Sequence, residues 1–255
     1  MSGGHAHTLH IHGHSVAHRM APHLKVAALG IFVVAVVATP ARAVPAFGVY
    51  AILLGTVAAV SGVPVRFIVR RMVIEVPFLL FAVLLPFVGS APYLSLGGLR
   101  VSEAGLLAAW TIVAKGSCGV VASILLAATT EVPEILTGLQ RLRVPAPLVA
   151  IAGFMVRYLE VIAGELSRMR VAMAARGYEA RFLWQAKVLA TSAGALFIRS
   201  YERGERVYLA MVSRGYTGTM PVFAAQGVTR RDYVQAFALP AIAVVVALAG
   251  WVVVA

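Results

Sequence analysis

The sequence predicts an all-α membrane protein with about five transmembrane helices and a charged cytoplasmic region that contains two long helices. Three observations support this fold class. Of 255 residues, 60% are hydrophobic and 13% are charged, which is too apolar for an ordinary soluble domain. Fourteen of the 22 Lys and Arg residues lie between Glu131 and Asp232, so the positive-inside rule assigns this interval to the cytoplasm. Within it, two segments of 14 residues share six identical residues at a spacing of 38, and we call them the two copies of the repeated phrase.

Residues 1–21 form a polar tail, rich in Gly and His, that we expect to be disordered and cytoplasmic. All seven histidines of the chain lie between residues 5 and 23. Their close spacing lets a flexible backbone wrap a divalent metal, because neutral imidazole suits cobalt, nickel, copper and zinc. A solvated tail without metal is an equally weighted alternative. The histidines of this weak candidate metal site are His5, His7, His10, His12 and His14.

Residues 22–130 are predicted to form a four-helix transmembrane region. The apolar runs cover residues 24–39, 44–63, 72–88 and 104–129. The first run is close to the ~17 to 25 residues that cross a bilayer. Because Lys25 lies at its start and Ala41-Arg42-Ala43 follows it, a cleaved signal peptide is the alternative, disfavoured since further spans follow at once.

Two charged residues fall within these spans. Lys115 lies in the middle of the fourth run, where a charge costs about 2.5 to 3.5 kcal/mol unless it finds a partner or water. Glu75, near the start of the third run, is a candidate partner. An intramembrane charge indicates a functional site by default, and a structural pair is at least an equal alternative. We therefore treat Glu75 and Lys115 as a candidate intramembrane polar pair.

Residues 131–232 are richer in charged residues than the apolar runs that precede them. The stretch 131–144 is amphipathic and is expected to lie along the membrane interface. Two long helices are predicted over residues 148–176 and 183–214, and whether residues 148–162 enter the membrane stays open. Residues 233–255 contain the last span. Five spans place the N-terminus in the cytoplasm.

The repeated phrase comprises residues Glu165–Tyr178 and Arg203–Tyr216. Each copy ends in Arg-Gly-Tyr, and a Gly just after a helical stretch fits the left-handed residue that closes a helix. A single copy is most simply a helix stop whose cation lies near the negative end of the helix dipole. Two matching copies favour a duplicated docking element that presents two guanidinium groups to a partner. The residues shared at a spacing of 38 are Arg168, Ala172, Met173, Arg176, Gly177 and Tyr178.

The sequence lacks the residues and motifs that several kinds of catalytic and binding site require. No histidine follows His23, no G-x-x-x-x-G-K-[ST] loop or H-E-x-x-H motif occurs, and Cys118 is the single cysteine. A membrane-embedded enzyme is therefore disfavoured, since only ten acids and no histidine near the spans are available for acid-base work. An independent metal permease is the second alternative, and it would need polar ligands in several spans.

Four segments, in this order, resemble the transmembrane T component (EcfT) of energy-coupling factor (ECF) ABC transporters, most closely the CbiQ branch associated with cobalt. The similarity covers nearly everything from His18 onward. Together the segments are specific, although each alone is weak. They are Thr129-Thr130 through Leu139-Gln140-Arg141-Leu142-Arg143-Val144-Pro145, the Arg157-Tyr158 pair, the phrase at 165–178, and Arg199-Ser200-Tyr201-Glu202-Arg203 leading into Ser213-Arg214-Gly215-Tyr216.

The resemblance implies a non-catalytic subunit, with 131–232 as the coupling region of a multi-pass protein of the bacterial cell membrane. It implies two CbiO-like (A-type) ATPase subunits that bind ATP and Mg, and a CbiM-like (S-type) membrane subunit that captures cobalt or nickel. The chain itself would bind no cofactor and no nucleic acid. The residues that would dock into the ATPases are Ala175, Arg176, Gly177, Ser213, Arg214 and Gly215.

Overall fold

The structure is a computed structural model, which describes residues 15–88, 93–96, 99–178, 186–218 and 227–254. These ranges are almost entirely helical, which confirms the all-α class; a short hairpin, β1–β2, interrupts the helices. A 3-10 turn, Met72–Glu75, joins α4 to α5. The elements are α1 (Val16–Arg19), α2 (Pro22–Ala38), α3 (Val44–Ser61), α4 (Val65–Arg71), α5 (Val76–Val88), β1 (Tyr93–Leu96), β2 (Leu99–Ser102), α6 (Glu103–Thr129), α7 (Val132–Arg141), α8 (Ala146–Ala175), α9 (Ala186–Val212) and α10 (Arg230–Val254).

Five helices in the described ranges are long and apolar enough to cross a membrane. The number agrees with the prediction, but the set differs in two helices. The predicted span α2 has 17 residues and is shorter than the five candidates. The helix α8, which was not predicted as a span, is one of them, with 30 residues and an apolar N-terminal half. At 1.5 Å per residue, α8 is about 45 Å long, which exceeds a hydrocarbon core of about 30 Å. The boundaries at 130, 131, 232 and 233 remain predictions. The five candidates are Val44–Ser61, Val65–Val88, Glu103–Thr129, Ala146–Ala175 and Arg230–Val253.

Backbone contacts divide the chain into two compact units. One unit includes Arg143–Ala224, and therefore α8 and α9. The other consists of Ala6–Leu142 and Ala225–Ala255. The amphipathic helix α7 belongs to the second unit, where Gly138 lies so close to α2 that a Cβ there would be 3.0 Å from the backbone N of His23. This helix therefore packs on α2 through its glycine.

The core of the second unit is centred on Tyr50, which is fully buried. Phe32 and Phe47 contact its ring edge-on, with ring centroids 5.8 and 6.0 Å away. The Tyr50 hydroxyl lies 2.7 Å from Oγ1 of Thr39 and 3.3 Å from the carbonyl O of Ala243. Helices α2, α3 and α10 thus meet at one buried polar group whose hydrogen bonds are satisfied.

The hairpin precedes a close helix contact. Between α5 and α6, β1 and β2 pair as an antiparallel ladder with Tyr93 opposite Ser102. The Ser102 side chain then caps α6, accepting a hydrogen bond of 3.1 Å from the backbone N–H of Gly105. A Cβ at Gly105 would approach the backbone of Leu85 and Pro86 to 2.9 Å or less. Only glycine fits where α5 and α6 touch.

Lys25 caps the other end of α6. Its Nζ donates to the carbonyl O of Thr129 at 3.0 Å and to Oγ1 of Thr130 at 3.1 Å. A third bond of 3.2 Å reaches the carbonyl O of His18. The residue is 8% exposed. A buried ammonium at a helix C-terminus is stabilised by the negative end of the helix dipole.

Candidate functional site

The first copy of the repeated phrase closes α8 with a Schellman motif. The N–H of Tyr178 donates to the carbonyl O of Met173 at 3.1 Å, and the N–H of Gly177 donates to that of Ala174 at 3.0 Å. Gly177 has φ of 75°, in the left-handed region. This is the arrangement in which glycine satisfies the last carbonyls of a helix. The predicted helix stop is therefore confirmed for the first copy.

The second copy closes α9 by the same bonds. The N–H of Tyr216 donates to the carbonyl O of Met211 at 3.0 Å, and that of Gly215 donates to Val212 at 3.0 Å. Gly215 has φ of 85°. A Cβ at Gly177 or Gly215 would meet no atom within 4 Å. The backbone angle, and not packing, therefore requires glycine at both ends.

The two copies also match in exposure. Arg176 and Arg214 are exposed, and so are the small residues Ala175 and Ser213 before them. The Met and Tyr of each copy are half-buried: Met173, Tyr178, Met211 and Tyr216. Each helix therefore ends in a closed turn that displays one guanidinium group beside a small side chain. The predicted docking residues therefore form two separate groups of the same form, one at the end of α8 and one at the end of α9.

A carboxylate joins the two helices upstream of these ends. Oε2 of Glu165, in α8, lies 3.1 Å from Nη2 of Arg203, and Oε1 lies 3.4 Å from Nη1 of Arg199, both in α9. The Glu165 side chain is only 11% exposed. Charge-assisted bonds to both carboxylate oxygens restrict the rotation of α9 relative to α8. We call these three residues the Glu165 clamp.

The two helices run antiparallel. Oγ of Ser192, early in α9, donates to Sδ of Met173, late in α8, at 3.4 Å. The clamp joins Glu165, earlier in α8, to residues later in α9. Arg176 and Arg214 each lie 11 residues beyond their own clamp residue, Glu165 or Arg203, and 11 helical residues extend about 16 Å. The two Arg-Gly ends therefore point in opposite directions from the clamp.

The Glu75 and Lys115 side chains make different contacts. Ser117 Oγ donates to Oε1 of Glu75 at 2.8 Å, and Glu75 is 2% exposed. Nζ of Lys115 donates to the carbonyl O of Val37 in α2. Residues 115 and 117 lie about 200° apart round α6, since each helical residue turns about 100°. The predicted pair is therefore corrected: in the described contacts, each charge has its own neutral partner.

The predicted tail site, formed by the five histidines between residues 5 and 14, lies outside the described residues. Within the described part of the chain, no group of three or more His, Cys, Asp and Glu side chains is placed to hold a metal ion. The metal hypothesis for the tail stays a prediction.

A family model described as CbiQ, cobalt transport protein, matches residues 13–222. The chain belongs to the CbiQ family. The matched interval contains both copies of the repeated phrase and the Glu165 clamp. The apolar helices and the membership together identify the protein as a multi-pass membrane component of the cobalt transport family.

Three known proteins are similar to parts of this chain, and two of them carry cobalt transport names. The cobalt transport protein CbiQ of Rhodobacter capsulatus is 30% identical over 168 residues, which cover 64% of this chain and 66% of that protein. A protein of Methanocorpusculum labreanum named as a fused cobalt transport protein, CbiMQ, is 26% identical over 128 residues, 50% of this chain and 21% of that protein. An uncharacterized protein of Methanocaldococcus jannaschii is 33% identical over 100 residues, 39% of this chain and 37% of that protein. The aligned parts span less than two thirds of each of these relatives.

Sequence reasoning missed the role of Glu165. In the sequence, Glu165 is only the first residue of the first copy, and no contact is predicted for it. When the two copies are aligned, Glu165 stands opposite Arg203, so opposite charges occupy one register position. That complementarity was the available signal. It predicts a contact only if the two helices cross at this register, which the sequence alone does not specify.

Proposed function

We propose that this chain is the transmembrane T component of an ECF importer for cobalt or nickel in the bacterial cell membrane. In this role it transmits ATP-driven motion from two ATPase subunits to a substrate-binding membrane subunit. The observation that supports it best is the pair of exposed arginines, Arg176 and Arg214, at two helix ends of the same form. Membership of the CbiQ family is the independent support.

The docking chemistry follows from the two ends. A guanidinium group holds a carboxylate with two parallel hydrogen bonds, which an ammonium group does not do. Ala175 and Ser213 are small, so the surface beside each arginine allows the backbone of a partner to approach closely. Because the two ends point in opposite directions from the clamp, they suit two separate grooves. Two ATPase subunits, one for each arginine, fit this arrangement.

Transmission requires that the two ends move as one body. The Glu165 clamp holds α8 to α9 between the centre and the C-terminal end of each helix, and Glu165 and Arg203 are equally many residues from Arg176 and Arg214, respectively. A change in the distance between the two ATPases would then displace α8 and α9 together. Rigid-body rotation of this kind is an established way to convert a local change into a larger displacement. ATP and Mg would bind in the ATPases and not in this chain.

The membrane partner is proposed to be a CbiM-like, S-type subunit. The relative of Methanocorpusculum labreanum named CbiMQ supports the association, since that name joins an M part and a Q part in one chain. The transported ion would be cobalt or nickel. The orientation with a cytoplasmic N-terminus follows from the basic residues between Glu131 and Asp232, which include both arginines.

The test reverses the charge at both ends. The double variant Arg176→Glu, Arg214→Glu is co-expressed with the ATPase subunits and the membrane partner. We expect the ATPases to be lost on purification and cobalt uptake to fall at least tenfold. The matched control is Arg170→Glu, Lys187→Glu, which reverses two charges at exposed positions of the same two helices, outside the residues that the two copies share.

The control variant should retain both ATPase binding and uptake. The coupling proposal is wrong if the Arg176→Glu, Arg214→Glu protein still co-purifies with its ATPases and still supports uptake. Uptake of radiolabelled cobalt and nickel by the wild-type complex, measured in parallel, distinguishes the two substrates.

A further inference from the structure

A cavity of about 360 Å³ lies between α2, α3, α6 and α10, within one compact unit. Its wall is mostly aliphatic and aromatic, with Leu29, Phe32, Val57 and Leu125 among the lining residues. The volume falls in the range of about 300 to 1,000 Å³ that small-molecule sites occupy. Thr56 and Val60 also line it, and both are exposed on α3. The cavity therefore opens on the surface of a membrane-spanning helix, where lipid is the solvent.

Four polar side chains of this cavity lie at one end, whereas the hydroxyl group of Thr56 donates to the carbonyl O of Leu53 within α3. Lys25 contacts Thr129, so the start of α2 meets the end of α6. Trp251 Nε1 donates to the carbonyl O of Ala38, so the C-terminal ends of α10 and α2 are adjacent. Gln235, near the start of α10, lines the same cavity as Lys25, near the start of α2. The chain turns back between α2 and α3, which places the last residue of α3 beside the start of α2. The lining residues Lys25, Ser61, Thr129 and Gln235 thus share one end, one from each helix.

Two of these polar groups are suited to a ligand. Ser61 is 4% exposed, and its Oγ has no hydrogen-bond partner. Buried hydroxyl groups are normally hydrogen-bonded, because leaving one unpaired costs free energy. Lys25 donates hydrogen bonds to three oxygens that all belong to uncharged groups, and Glu134 acts on its charge electrostatically without a described contact. The positive charge that remains attracts an anion at the polar end.

We propose that this cavity binds one acyl chain of an anionic membrane phospholipid, with the phosphate group at the polar end near Lys25 and Ser61. The apolar wall accommodates the chain, and the opening beside Thr56 and Val60 admits it from the bilayer. Lys25 selects an anionic headgroup by charge, and Ser61 hydrogen-bonds to it. The site is separate from the two Arg-Gly ends, and it does not depend on the coupling function.

The test uses native mass spectrometry of the full-length chain in non-ionic detergent. The protein is titrated with dioleoyl phosphatidylglycerol, with dioleoyl phosphatidylcholine and with oleate. We expect one phosphatidylglycerol per chain, bound at least tenfold more tightly than the other two. Val57→Trp fills the cavity and should weaken this binding at least tenfold. Ile52→Trp, on the exposed face of the same helix, is the matched control and should bind as the wild type does.

Further variants address the polar end and the folding of the test protein. Lys25→Met should remove the preference for phosphatidylglycerol over phosphatidylcholine, and Ser61→Ala should weaken phosphatidylglycerol binding several-fold. Leu126→Phe fills the cavity from α6 if Val57→Trp does not fold. Unchanged phosphatidylglycerol binding in the cavity-filling variant would overturn the proposal. Equal binding of both phospholipids, or binding of oleate as tight as that of phosphatidylglycerol, would also contradict it.

Discussion

Glu165 and Arg203 occupy the same position in the two copies of the repeated phrase, and their side chains form an ion pair with 3.1 Å between Oε2 and Nη2. The two copies therefore meet at their own first residues. Each then extends by the same number of residues to an exposed arginine. The relationship links a pattern in the sequence to the geometry of the proposed docking sites.

The first prediction concerns this clamp. Glu165→Gln removes the charge that holds Arg199 and Arg203, of which Arg203 is partly buried. We expect the free energy of unfolding to fall, because glutamine cannot form the charge-assisted hydrogen bonds that the carboxylate forms with both guanidinium groups. We also expect cobalt uptake to fall while ATPase binding persists, because the docking residues Arg176 and Arg214 remain. Thermal unfolding and uptake assays measure the two effects.

Two further variants test the clamp. Glu160→Gln, at an exposed position of the same helix, should change neither stability nor uptake. The charge exchange Glu165→Arg, Arg203→Glu should recover part of the lost uptake. Full activity of Glu165→Gln would show that the clamp is not needed for transmission.

The second prediction concerns the two closing glycines. Gly177→Ala and Gly215→Ala force alanine to a positive φ, which costs about 1 to 2 kcal/mol for each residue. The turn that positions the neighbouring arginine should then fray, and ATPase co-purification should weaken. Gly204→Ala, inside α9 where a Cβ meets no atom within 4 Å, should stabilise the helix by roughly 0.5 to 1 kcal/mol. Equal effects at all three positions would contradict the role of φ.

The third prediction concerns the contact between α5 and α6. Gly105→Ala places a methyl group against the backbone of Leu85 and Pro86. Overpacking of this kind costs about 1 to 3 kcal/mol, and backbone atoms cannot move aside as a flexible side chain does. We expect a clear loss of thermal stability in detergent. Gly119→Ala, on the same helix with no atom within 4 Å of the added Cβ, should not lower the melting temperature.

The fourth prediction concerns Glu75 and Lys115. Since their contacts are with Ser117 and Val37, we expect the effects of Glu75→Gln and Lys115→Met on unfolding to add within about 0.5 kcal/mol. A double-mutant cycle by thermal or denaturant unfolding measures the coupling energy. A coupling of 1 kcal/mol or more would show that the two charges interact directly.

Hydropathy and charge were sufficient to predict the fold class and most helices, because the bilayer limits the length and composition of a span. Local chemistry was sufficient for the two helix ends, because Arg-Gly-Tyr encodes its own closing turn at Gly177 and Gly215. The partner of Lys115 could not be predicted in this way. It depends on how α6 is rotated about its axis, and the side-chain packing of several helices sets that rotation.

The same limit explains the other differences. The choice of α8 over α2 among the long apolar helices depended on where each helix begins and ends, which apolar runs specify poorly. The Glu165 clamp required the crossing point of α8 and α9, which is a tertiary property. The hairpin after α5 was missed because four-residue strands give a weak alternation signal.

The equal spacing from the clamp to each arginine limits how this part of the chain can evolve. Eleven residues make almost exactly three helical turns, so each arginine has a fixed rotational phase relative to its clamp residue. Inserting one residue in this stretch would swing the guanidinium group round the helix axis by about 100°. Between each clamp residue and its arginine, substitutions are therefore tolerated, whereas a change in the number of residues is not. Natural variation in this stretch should consist of substitutions, with insertions and deletions tolerated only outside it.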